Sequence, residues 1–382
     1  MFSSRIECDI KINRIAEILL GKGQFLDLTQ SNPTAANLQY PERQILDAIS
    51  SSESLVYEPS SKGKRSAREA VAAYYGHRVD PEQILLTAST SEAYGWIFKL
   101  LADPGDEVLV PRPSYPLFEF LASLENVRAV QYPLFYDGRW SLDIHAVENA
   151  ITDRTRAIAL VNPNNPAGVY LKRTEVDQLV SLCAARGLAI ISDEVFADYA
   201  FADDLERITT LSGVNQVPTY VISGLSKVAG LPQFKLGWIV LNGPPQQYND
   251  AMTRLELIAD TYLSVATPIQ LALPSLLEAA HGIRRQIRDR TQANLSYIQH
   301  HLAPDSPARL LHAEGGWYAT LEVPRIRTEE EWVLELLEKY DVLAQPGYFY
   351  DFESEAFLVI SLLTETGEFQ RGMQRIFQFV RE

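Results

Sequence analysis

Short apolar runs alternate with longer amphipathic segments between residues 84 and 241. Short apolar runs are typical of buried strands, and apolar residues spaced three and four apart are typical of a helix with one buried face. The predicted strands are residues 84–87, 107–110, 127–132, 156–161, 188–192, 220–223 and 237–241, and the clearest predicted helices are 91–102, 143–151 and 173–185. This alternation predicts an α/β domain with a mostly parallel seven-stranded sheet flanked by helices.

The pattern changes after residue 245. Long helical periodicity covers residues 246–258 and 269–302, and two apolar runs, 318–323 and 357–362, enclose a third helix at 329–340. We therefore predict a smaller α+β domain at residues 271–382 and a large α/β domain at residues 46–270. Residues 1–45 are predicted to be an N-terminal segment that packs with the small domain.

Composition and charge exclude several classes of function. The 382 residues carry a net charge of −15, and the longest basic cluster is the short KGKR at residues 62–65, so we predict no nucleic-acid partner. The N-terminus is charged where a signal peptide needs an apolar core, and no apolar run approaches the roughly 20 residues that span a bilayer. Cys8 and Cys183 form no metal-binding or redox spacing. These features predict a cytoplasmic protein without a metal site or a membrane partner.

Two charged residues follow predicted strands, where ligands bind in open α/β sheets. Lys227 comes after the strand at 220–223, and burial there would lower the pKa of its amine and favour the neutral, nucleophilic form. Taken alone, a lysine in this position is more often a surface residue in a loop. Asp193 follows the strand at 188–192 and is either a ligand-binding group or a cap for the next segment.

Three further stretches offer polar or aromatic groups beside strand ends. Asn165 stands in NPNNPAG, where prolines and a glycine fix the backbone, although an ordinary turn has the same composition. Ser89 and Glu92 have capping-box spacing at the start of a helix, whose free N–H groups and hydroxyls form either an anion site or a plain cap. Tyr115 stands in the proline-rich loop PRPSYP. Together these groups suit pyridoxal phosphate. This cofactor needs a lysine for its Schiff base, an acid beside its ring nitrogen and an anion site for its phosphate.

At this point the sequence resembles the class I/II, fold-type I pyridoxal phosphate-dependent aminotransferases over nearly its whole length. The stretches that carry the resemblance are SNPT at 31–34, Tyr57 with Gly63 and Arg68, TASTSEA at 87–93, PGDEVLVPRPSYP at 104–116, NPNNPAG at 162–168, ISDEVFADY at 191–199, SGLSKVAGLPQFKLGW at 223–238, GGWYA at 315–319 and QPGYFY at 345–350. Each is weak alone, and their shared order is specific for the fold and the cofactor.

The resemblance implies a role for each site residue. Lys227 forms the Schiff base with the cofactor and moves the substrate proton, Asp193 keeps the pyridine nitrogen protonated, and Tyr115 stacks on the ring. Asn165 binds the phenolic oxygen of the cofactor. The phosphate is held by Ser89, Thr90, Ser91, Ser226 and Lys235, with Tyr57 reaching in from a neighbouring subunit. The resemblance thus implies a homodimer with shared active sites that acts on a small amino donor and an oxo acceptor.

Four departures from the family pattern are visible. Lys235 and Phe196 replace the usual arginine and tyrosine, and Gly224 replaces a common phosphate-binding serine. In the last strand, Val359 stands where the family carries the arginine that binds the substrate carboxylate. Because valine cannot pair with a carboxylate, the substrate acid group is either bound elsewhere or absent. Candidates to bind it across the dimer are Lys62, Lys64 and Arg65.

Three functions remain open on the sequence. The first is an aminotransferase with atypical carboxylate recognition. The second is another reaction of the same cofactor, such as elimination, decarboxylation or racemisation. The third is a non-catalytic pyridoxal phosphate-binding module of the kind found in transcription regulators, although those carry a DNA-binding extension for which we expect no room before residue 28.

Overall fold

The computed structural model describes residues 3–6 and 12–382, so Cys8 lies outside the described residues. Its α-helices are α1 (Arg14–Gly21), α2 (Glu42–Ile49), α3 (Arg65–Tyr74), α4 (Thr90–Leu101), α5 (Phe118–Leu124), α6 (Ile144–Ala150), α7 (Arg173–Arg186), α8 (Leu225–Val228), α9 (Pro245–Tyr262), α10 (Thr267–His301), α11 (Glu329–Tyr340) and α12 (Thr366–Phe379). Its strands are β1 (Leu26–Asp27), β2 (Ile84–Thr87), β3 (Glu107–Arg112), β4 (Arg128–Tyr136), β5 (Trp140–Leu142), β6 (Thr155–Val161), β7 (Ala189–Asp193), β8 (Thr219–Gly224), β9 (Gly237–Asn242), β10 (Arg309–Leu310), β11 (Tyr318–Glu322), β12 (Val342–Leu343), β13 (Gln345–Pro346) and β14 (Phe357–Ser361).

The large sheet has eight strands in the order β2, β9, β8, β7, β6, β3, β4, β5. Neighbours from β8 to β4 pair in parallel, while β9 runs antiparallel to both β2 and β8. The sequence predicts seven of these strands. The eighth, β5, is a short edge strand that returns antiparallel to β4 after a turn at Gly138, and its three residues are too few to form a recognisable apolar run.

Both faces of the large sheet are covered, which explains the nearly continuous apolar runs of its strands. Successive residues of one strand enter different cores: Ile190 packs with α3, α7 and α10 on one face, and Ile191 packs with α4 and α9 on the other. The polar residues at the strand ends therefore stand out against an apolar sheet, and they meet along one edge of it.

A second core belongs to the C-terminal part of the chain. A four-stranded sheet, in the order β10, β11, β14, β13, packs against α11 and α12. The N-terminal segment joins this core, because β1 pairs in parallel with β12 and Leu28 is fully buried in it. The predicted border at residue 270 falls inside α10, whose residues Ala272 to Ile287 pack in the large core and whose last turns pack in the second.

No single helix in the described part of the chain combines the length and hydropathy that a bilayer span requires. Helices α9 and α10 reach that threshold only as a pair, across a bend of 119°.

Candidate active site

The carboxyl edge of the large sheet gathers the predicted site residues. Strands β6, β7 and β8 are parallel neighbours, and Val161 at the end of β6 pairs with Asp193 at the end of β7. Asp193 in turn pairs with Ile222 of β8, just before the turn into α8 that carries Lys227. Parallel pairing therefore brings the asparagine turn, Asp193 and Lys227 to one edge of the sheet.

Lys227 projects between two aromatic rings. Its Nζ lies 5.8 Å from the ring centre of Phe196 and 5.1 Å from that of Trp317. Burial lowers the pKa of the amine, and the negative charge of Asp193 opposes this shift. The lowered pKa makes a larger fraction of the amine neutral than it would be in water. Nucleophilic attack on a carbonyl requires this neutral form.

The backbone around Lys227 is held at three carbonyls. The Tyr199 hydroxyl donates to the Lys227 carbonyl, Tyr40 donates to Gly230 at 2.8 Å, and buried Arg284 donates to Val228 at 3.3 Å. Short helices such as α8 have few hydrogen bonds of their own. These side chains from distant parts of the sequence therefore fix the direction of the lysine.

Asp193 is a buried carboxyl with two neutral donors. The Tyr94 hydroxyl donates to its Oδ2 at 3.2 Å, and the backbone N–H of Val195 donates to its Oδ1 at 3.2 Å. Burial raises the pKa of Asp193 to about 6 despite these bonds. A carboxyl in such a place is suited to a cationic ring nitrogen, which would supply the missing countercharge.

Asn165 carries an unsatisfied amide. Among the described residues, its buried Oδ1 has no hydrogen-bond partner, whereas the neighbouring Asn164 is bonded at both ends of its amide, accepting from Ala167 and donating to Pro113. A buried polar group without a partner costs about 1–3 kcal/mol. Rotation of the amide exchanges its oxygen and nitrogen, so this position can offer a bound ligand either a donor or an acceptor.

The start of α4 forms the predicted capped terminus. Ser89 Oγ accepts from the Glu92 N–H at 3.1 Å, and the Glu92 carboxylate accepts from the Ala88 N–H at 2.6 Å. Because Ser89 is used as the cap, the hydroxyls of Thr90 and Ser91 and the first free N–H groups of the helix are the groups available to an anion.

Gly224, where the resemblance implies a serine, has no space for a side chain. A Cβ at Gly224 would lie 2.9 Å from Gly237 Cα and 3.0 Å from the Leu236 carbonyl oxygen. Strands β8 and β9 thus approach too closely for a side chain there. Ser226 is partly buried beside Lys227, and Lys235 is exposed, with a left-handed backbone (φ 49°). Its neighbour Leu236 accepts from the N–H of Leu225, which ties the Lys235 loop to the start of α8.

Tyr115 is brought to this edge by the loop after β3. Its hydroxyl pKa is raised by burial and by the nearby charge of Asp193. The preceding residue, Ser114, is held to the C-terminal part of the chain by a bond from its N–H to the Tyr350 carbonyl at 2.9 Å. Tyr115 therefore stands between the large sheet and the loop at 347–350.

Tyr57 is not brought to Lys227 within one chain. Its side chain is 80% exposed, next to exposed Leu55 and Val56. It lines a separate cavity with Trp96, Gln270 and others, and Tyr57 is the one predicted site residue in that lining.

The three candidate cations near Tyr57 are each paired within their own chain. Lys62 Nζ lies 2.6 Å from Glu82, Lys64 Nζ lies 2.8 Å from Glu58, and Arg65 Nε lies 2.8 Å from Glu69. Binding a substrate carboxylate would require each to leave an existing carboxylate partner.

Val359 is fully buried in the middle of β14, opposite Thr320 and Gln345. Its neighbours Leu358 and Ile360 point into the second core, whereas Val359 packs with the large core. Val359 therefore lies on the face of the four-stranded sheet that packs against the large domain. Its cross-strand neighbours Thr320 and Gln345 are neutral, and the buried Thr320 Oγ1 has no partner among the described residues.

Sequence reasoning missed two contributors to the site. Trp317 was noted only as part of GGWYA, yet its ring contacts Lys227 and its buried Nε1 has no partner in the described chain. Tyr94 lies within the predicted helix at 91–102 without a predicted role, and its hydroxyl donates to Asp193. A tyrosine or tryptophan at a buried position was the available indication, because such residues need a polar partner.

Comparison with known proteins shows the family of the chain. The family model "Aminotransferase class I and II" matches residues 16–376. Glutamate-pyruvate aminotransferase AlaA of Escherichia coli is 27% identical over 370 residues, covering 94% of this chain and 90% of AlaA. Alanine aminotransferase of Mycobacterium tuberculosis is 27% identical over 372 residues, covering 94% of this chain and 86% of that protein.

Solved structures give the same result. An aminotransferase from Escherichia coli superposes with a TM-score of 0.88 at 25% identity and covers 100% of this chain and 98% of its own. The alanine aminotransferase of Pyrococcus furiosus has a TM-score of 0.86 at 24% identity, covering 96% of this chain and 95% of its own, and shows the fold. Family and fold thus define a pyridoxal phosphate-dependent enzyme of fold type I. The chain belongs to the class I and II aminotransferase family.

Proposed function

We propose that this aminotransferase moves an amino group between an amino acid or amine and a 2-oxo acid or other carbonyl acceptor, with Lys227 as the residue that bonds covalently to the cofactor. The observation that carries the proposal is the position of the Lys227 amine, between two aromatic rings and close to Asp193, with its pKa lowered by burial. A neutral amine there can attack a carbonyl and later accept the proton lost by the substrate.

The residues at the sheet edge fit pyridoxal phosphate, which when bound supplies an electron-withdrawing ring. Buried Asp193 would face its ring nitrogen, the unpaired amide of Asn165 would bind its phenolic oxygen, and Tyr115 would cover one face of the ring. Thr90, Ser91, Ser226 and Lys235 would hold the phosphate, with Ser89 fixing the helix start. Phe196 cannot donate the hydrogen bond that a tyrosine would add.

Atypical recognition of the substrate carboxylate is part of the proposal. Val359 faces the large domain where the family carries an arginine, and a carboxylate against it would cost several kcal/mol without another partner. The cations Lys62, Lys64 and Arg65 are already paired with carboxylates of their own chain, which disfavours them as replacements. We therefore favour a donor that places an uncharged group beside Val359.

A screen of amino donors tests this. Matched pairs with and without an α-carboxylate, such as an amino acid and its amide or decarboxylated amine, are mixed with the enzyme while the visible absorbance of the cofactor is followed. We expect the uncharged member of a pair to react faster. A crystal in which a bound amino acid pairs its α-carboxylate with an arginine or lysine would refute the uncharged donor.

The Val359→Arg variant gives the reciprocal result. Arginine offers five donors, which a carboxylate would satisfy and an uncharged group would leave unpaired. We expect kcat/KM to rise for ordinary α-amino acids and to fall about tenfold or more for the best uncharged donor. The Val359→Met variant keeps the wall apolar at larger size and should preserve the wild-type order of donors. An identical change of preference in both variants would mean that size, not charge, decides.

A homodimer with shared active sites is also proposed, because Tyr57 and its exposed apolar neighbours lie away from Lys227 of the same chain. The Tyr57→Phe variant should bind the cofactor about ten- to a hundredfold more weakly, since a hydrogen bond to a charged group contributes about 1.5–3 kcal/mol. Dialysis followed by the loss of visible absorbance measures this. Tyr297→Phe on α10 also removes a hydrogen-bonded hydroxyl and serves as the control. A stable monomer with full cofactor affinity would contradict the proposal.

Another reaction on the same cofactor is the second candidate. S-alkyl-thiohydroximate lyase SUR1 of Arabidopsis thaliana is 30% identical to this chain over 245 residues, which are 53% of that protein. The donor screen separates the two. Transamination converts the cofactor to its amino form as the oxo product appears, whereas a lyase releases product without that conversion. A non-catalytic binding module would give neither change.

A further inference from the structure

The segment that carries Trp317 is tied to the large domain at its start. Glu314 accepts at both carboxylate oxygens from Lys172 Nζ, at 2.7 and 2.9 Å, and Lys172 also lies 2.6 Å from Asp204. Lys172 and Glu314 keep only 14% and 16% of their side-chain surface exposed, which sets this ion pair apart from the exposed pairs of the surface. Pairs screened from water are the ones that fix geometry.

The backbone next to Glu314 continues the attachment. The N–H groups of Glu314 and Gly315 both donate to the Gly168 carbonyl, at 2.9 and 3.0 Å, and the N–H of Gly316 donates to the Tyr199 carbonyl at 2.9 Å. The two backbone segments approach so closely that a Cβ at Gly315 would lie 2.6 Å from the Tyr199 carbonyl oxygen. Gly168 ends the turn that contains Asn165, so this contact joins the small domain to the asparagine turn.

Three residues after Glu314, Trp317 reaches the amine of Lys227. Its ring is completely buried, 5.1 Å from Lys227 Nζ and 5.2 Å from the ring of Tyr199. Tyr199 also donates its hydroxyl to the Lys227 carbonyl. The chain from Lys172 through Glu314 and Trp317 to Lys227 is therefore continuous.

We propose that Lys172 and Glu314 form a latch between the two domains that positions Trp317 against Lys227. They are positioning residues, and the inference rests on the proposed role of Lys227. With the latch closed, Trp317 keeps water from the nitrogen of Lys227. With it open, the small-domain segment moves away, and the nitrogen becomes more hydrated and more easily protonated.

The test uses the cofactor-loaded enzyme and a readout other than turnover. The visible absorbance band of the bound cofactor changes as the nitrogen at Lys227 gains or loses a proton, so its pH midpoint reports on that nitrogen. In Glu314→Gln we expect the midpoint to move upward, because burial disfavours the charged form and the latch maintains that burial. We expect kcat/KM for the amino donor to fall roughly ten- to a hundredfold, as displacements of about 1 Å near a reacting group do.

Companion variants separate positioning from stability. Lys172→Met should match Glu314→Gln, the double variant should be no worse than either, and Lys172→Arg should restore most of the wild-type midpoint. Trp317→Leu should shift the midpoint the same way, and adding Glu314→Gln to it should change nothing further. Glu322→Gln breaks the more exposed ion pair with Arg309, which joins β10 to β11, the two strands on either side of Glu314 in the sequence. It should leave the midpoint unchanged.

Two results would overturn the latch. One is a Glu314→Gln enzyme with a lower melting temperature but an unchanged midpoint and kcat/KM, which is the behaviour of a merely structural ion pair. The other is a midpoint shift that persists in full when Trp317 is already leucine. If wild type shows the visible band but no transamination, the reaction assignment fails while the spectroscopic comparison still decides the latch.

Discussion

Lys227→Ala is expected to lose the visible absorbance of the bound cofactor and all measurable turnover, while the protein stays folded. Removal of a residue that bonds covalently to the reacting group lowers rates by a factor on the order of 10⁵ or more. The fold should tolerate the change, since burial already disfavours the charge of this amine and the α8 backbone is held by Tyr199, Tyr40 and Arg284. Absorbance spectra, donor turnover and circular dichroism measure the three parts of this prediction.

Lys235→Ala is the matched control, because it removes another lysine from the same loop region. Lys235 is exposed and is proposed to contact the phosphate only. That variant should keep the visible band and lose cofactor more readily on dialysis. A Lys227→Ala protein that retains the wild-type band and rate would show that another amine bonds to the cofactor.

Much of the candidate site could be predicted because its residues lie at or just after the ends of strands. Asp193 ends a buried strand, Asn165 and Lys227 each come just after one, and parallel pairing brings all three to the same edge of the sheet. That step requires only the alternation of strands and helices and the rule that ligands bind beyond the carboxyl ends of strands. Ser89 likewise could be placed from local capping chemistry, and its bond to Glu92 is present.

The remaining contributors depend on contacts between distant parts of the chain. Trp317 is ninety residues from Lys227, and the segment that carries it is attached through Glu314 and Gly315 to the turn at Gly168. The face of the small sheet on which Val359 lies follows from the pairing of β14 with β11, which the apolar pattern of the sequence does not reveal. Apolar periodicity predicts which residues are buried. It does not predict which domain a buried side chain faces or which residues pack against it.

Tyr57 marks a different limit, since its proposed partner belongs to a second chain. An exposed tyrosine beside exposed Leu55 and Val56 is compatible with an interface, and its geometry depends on the relative placement of two subunits. Gly224 illustrates the reverse case. The glycine in place of the serine can be seen in the sequence. The lack of space for a side chain there, with a Cβ 2.9 Å from Gly237 Cα, can be seen only once β8 is packed against β9.

The second large effect is expected for Asp193→Asn. The asparagine keeps the shape of the side chain and can still accept from Val195 and bind Tyr94, but it removes the charge that would keep the ring nitrogen of the cofactor protonated. Breaking a buried charge pair costs about 3–5 kcal/mol, which corresponds to a loss of roughly two to four orders of magnitude in kcat/KM. Glu194→Gln changes the adjacent buried carboxyl, which bonds instead to Ser192 and Leu211, and should leave the rate within about tenfold of wild type. If Asp193→Asn also loses less than tenfold, another group holds that nitrogen.

The same substitution should stabilise the cofactor-free protein, in a direction set by the pKa of Asp193. Burial raises this pKa from 3.8 in the unfolded chain to about 6 in the folded one. The folded state therefore binds the proton more tightly, so the stability contributed by the protonated carboxyl is fully present below about pH 4 and is lost as the pH rises through 6. One pH unit of displacement corresponds to about 1.4 kcal/mol, so the ionised carboxylate destabilises the cofactor-free protein by on the order of 3 kcal/mol at neutral pH. Urea unfolding of cofactor-free Asp193→Asn and wild type should agree near pH 4, diverge as the pH rises from about 4 to 6, and stay separated by a constant amount above about pH 6. Equal midpoints at pH 8 would mean that the site already compensates this charge without the cofactor.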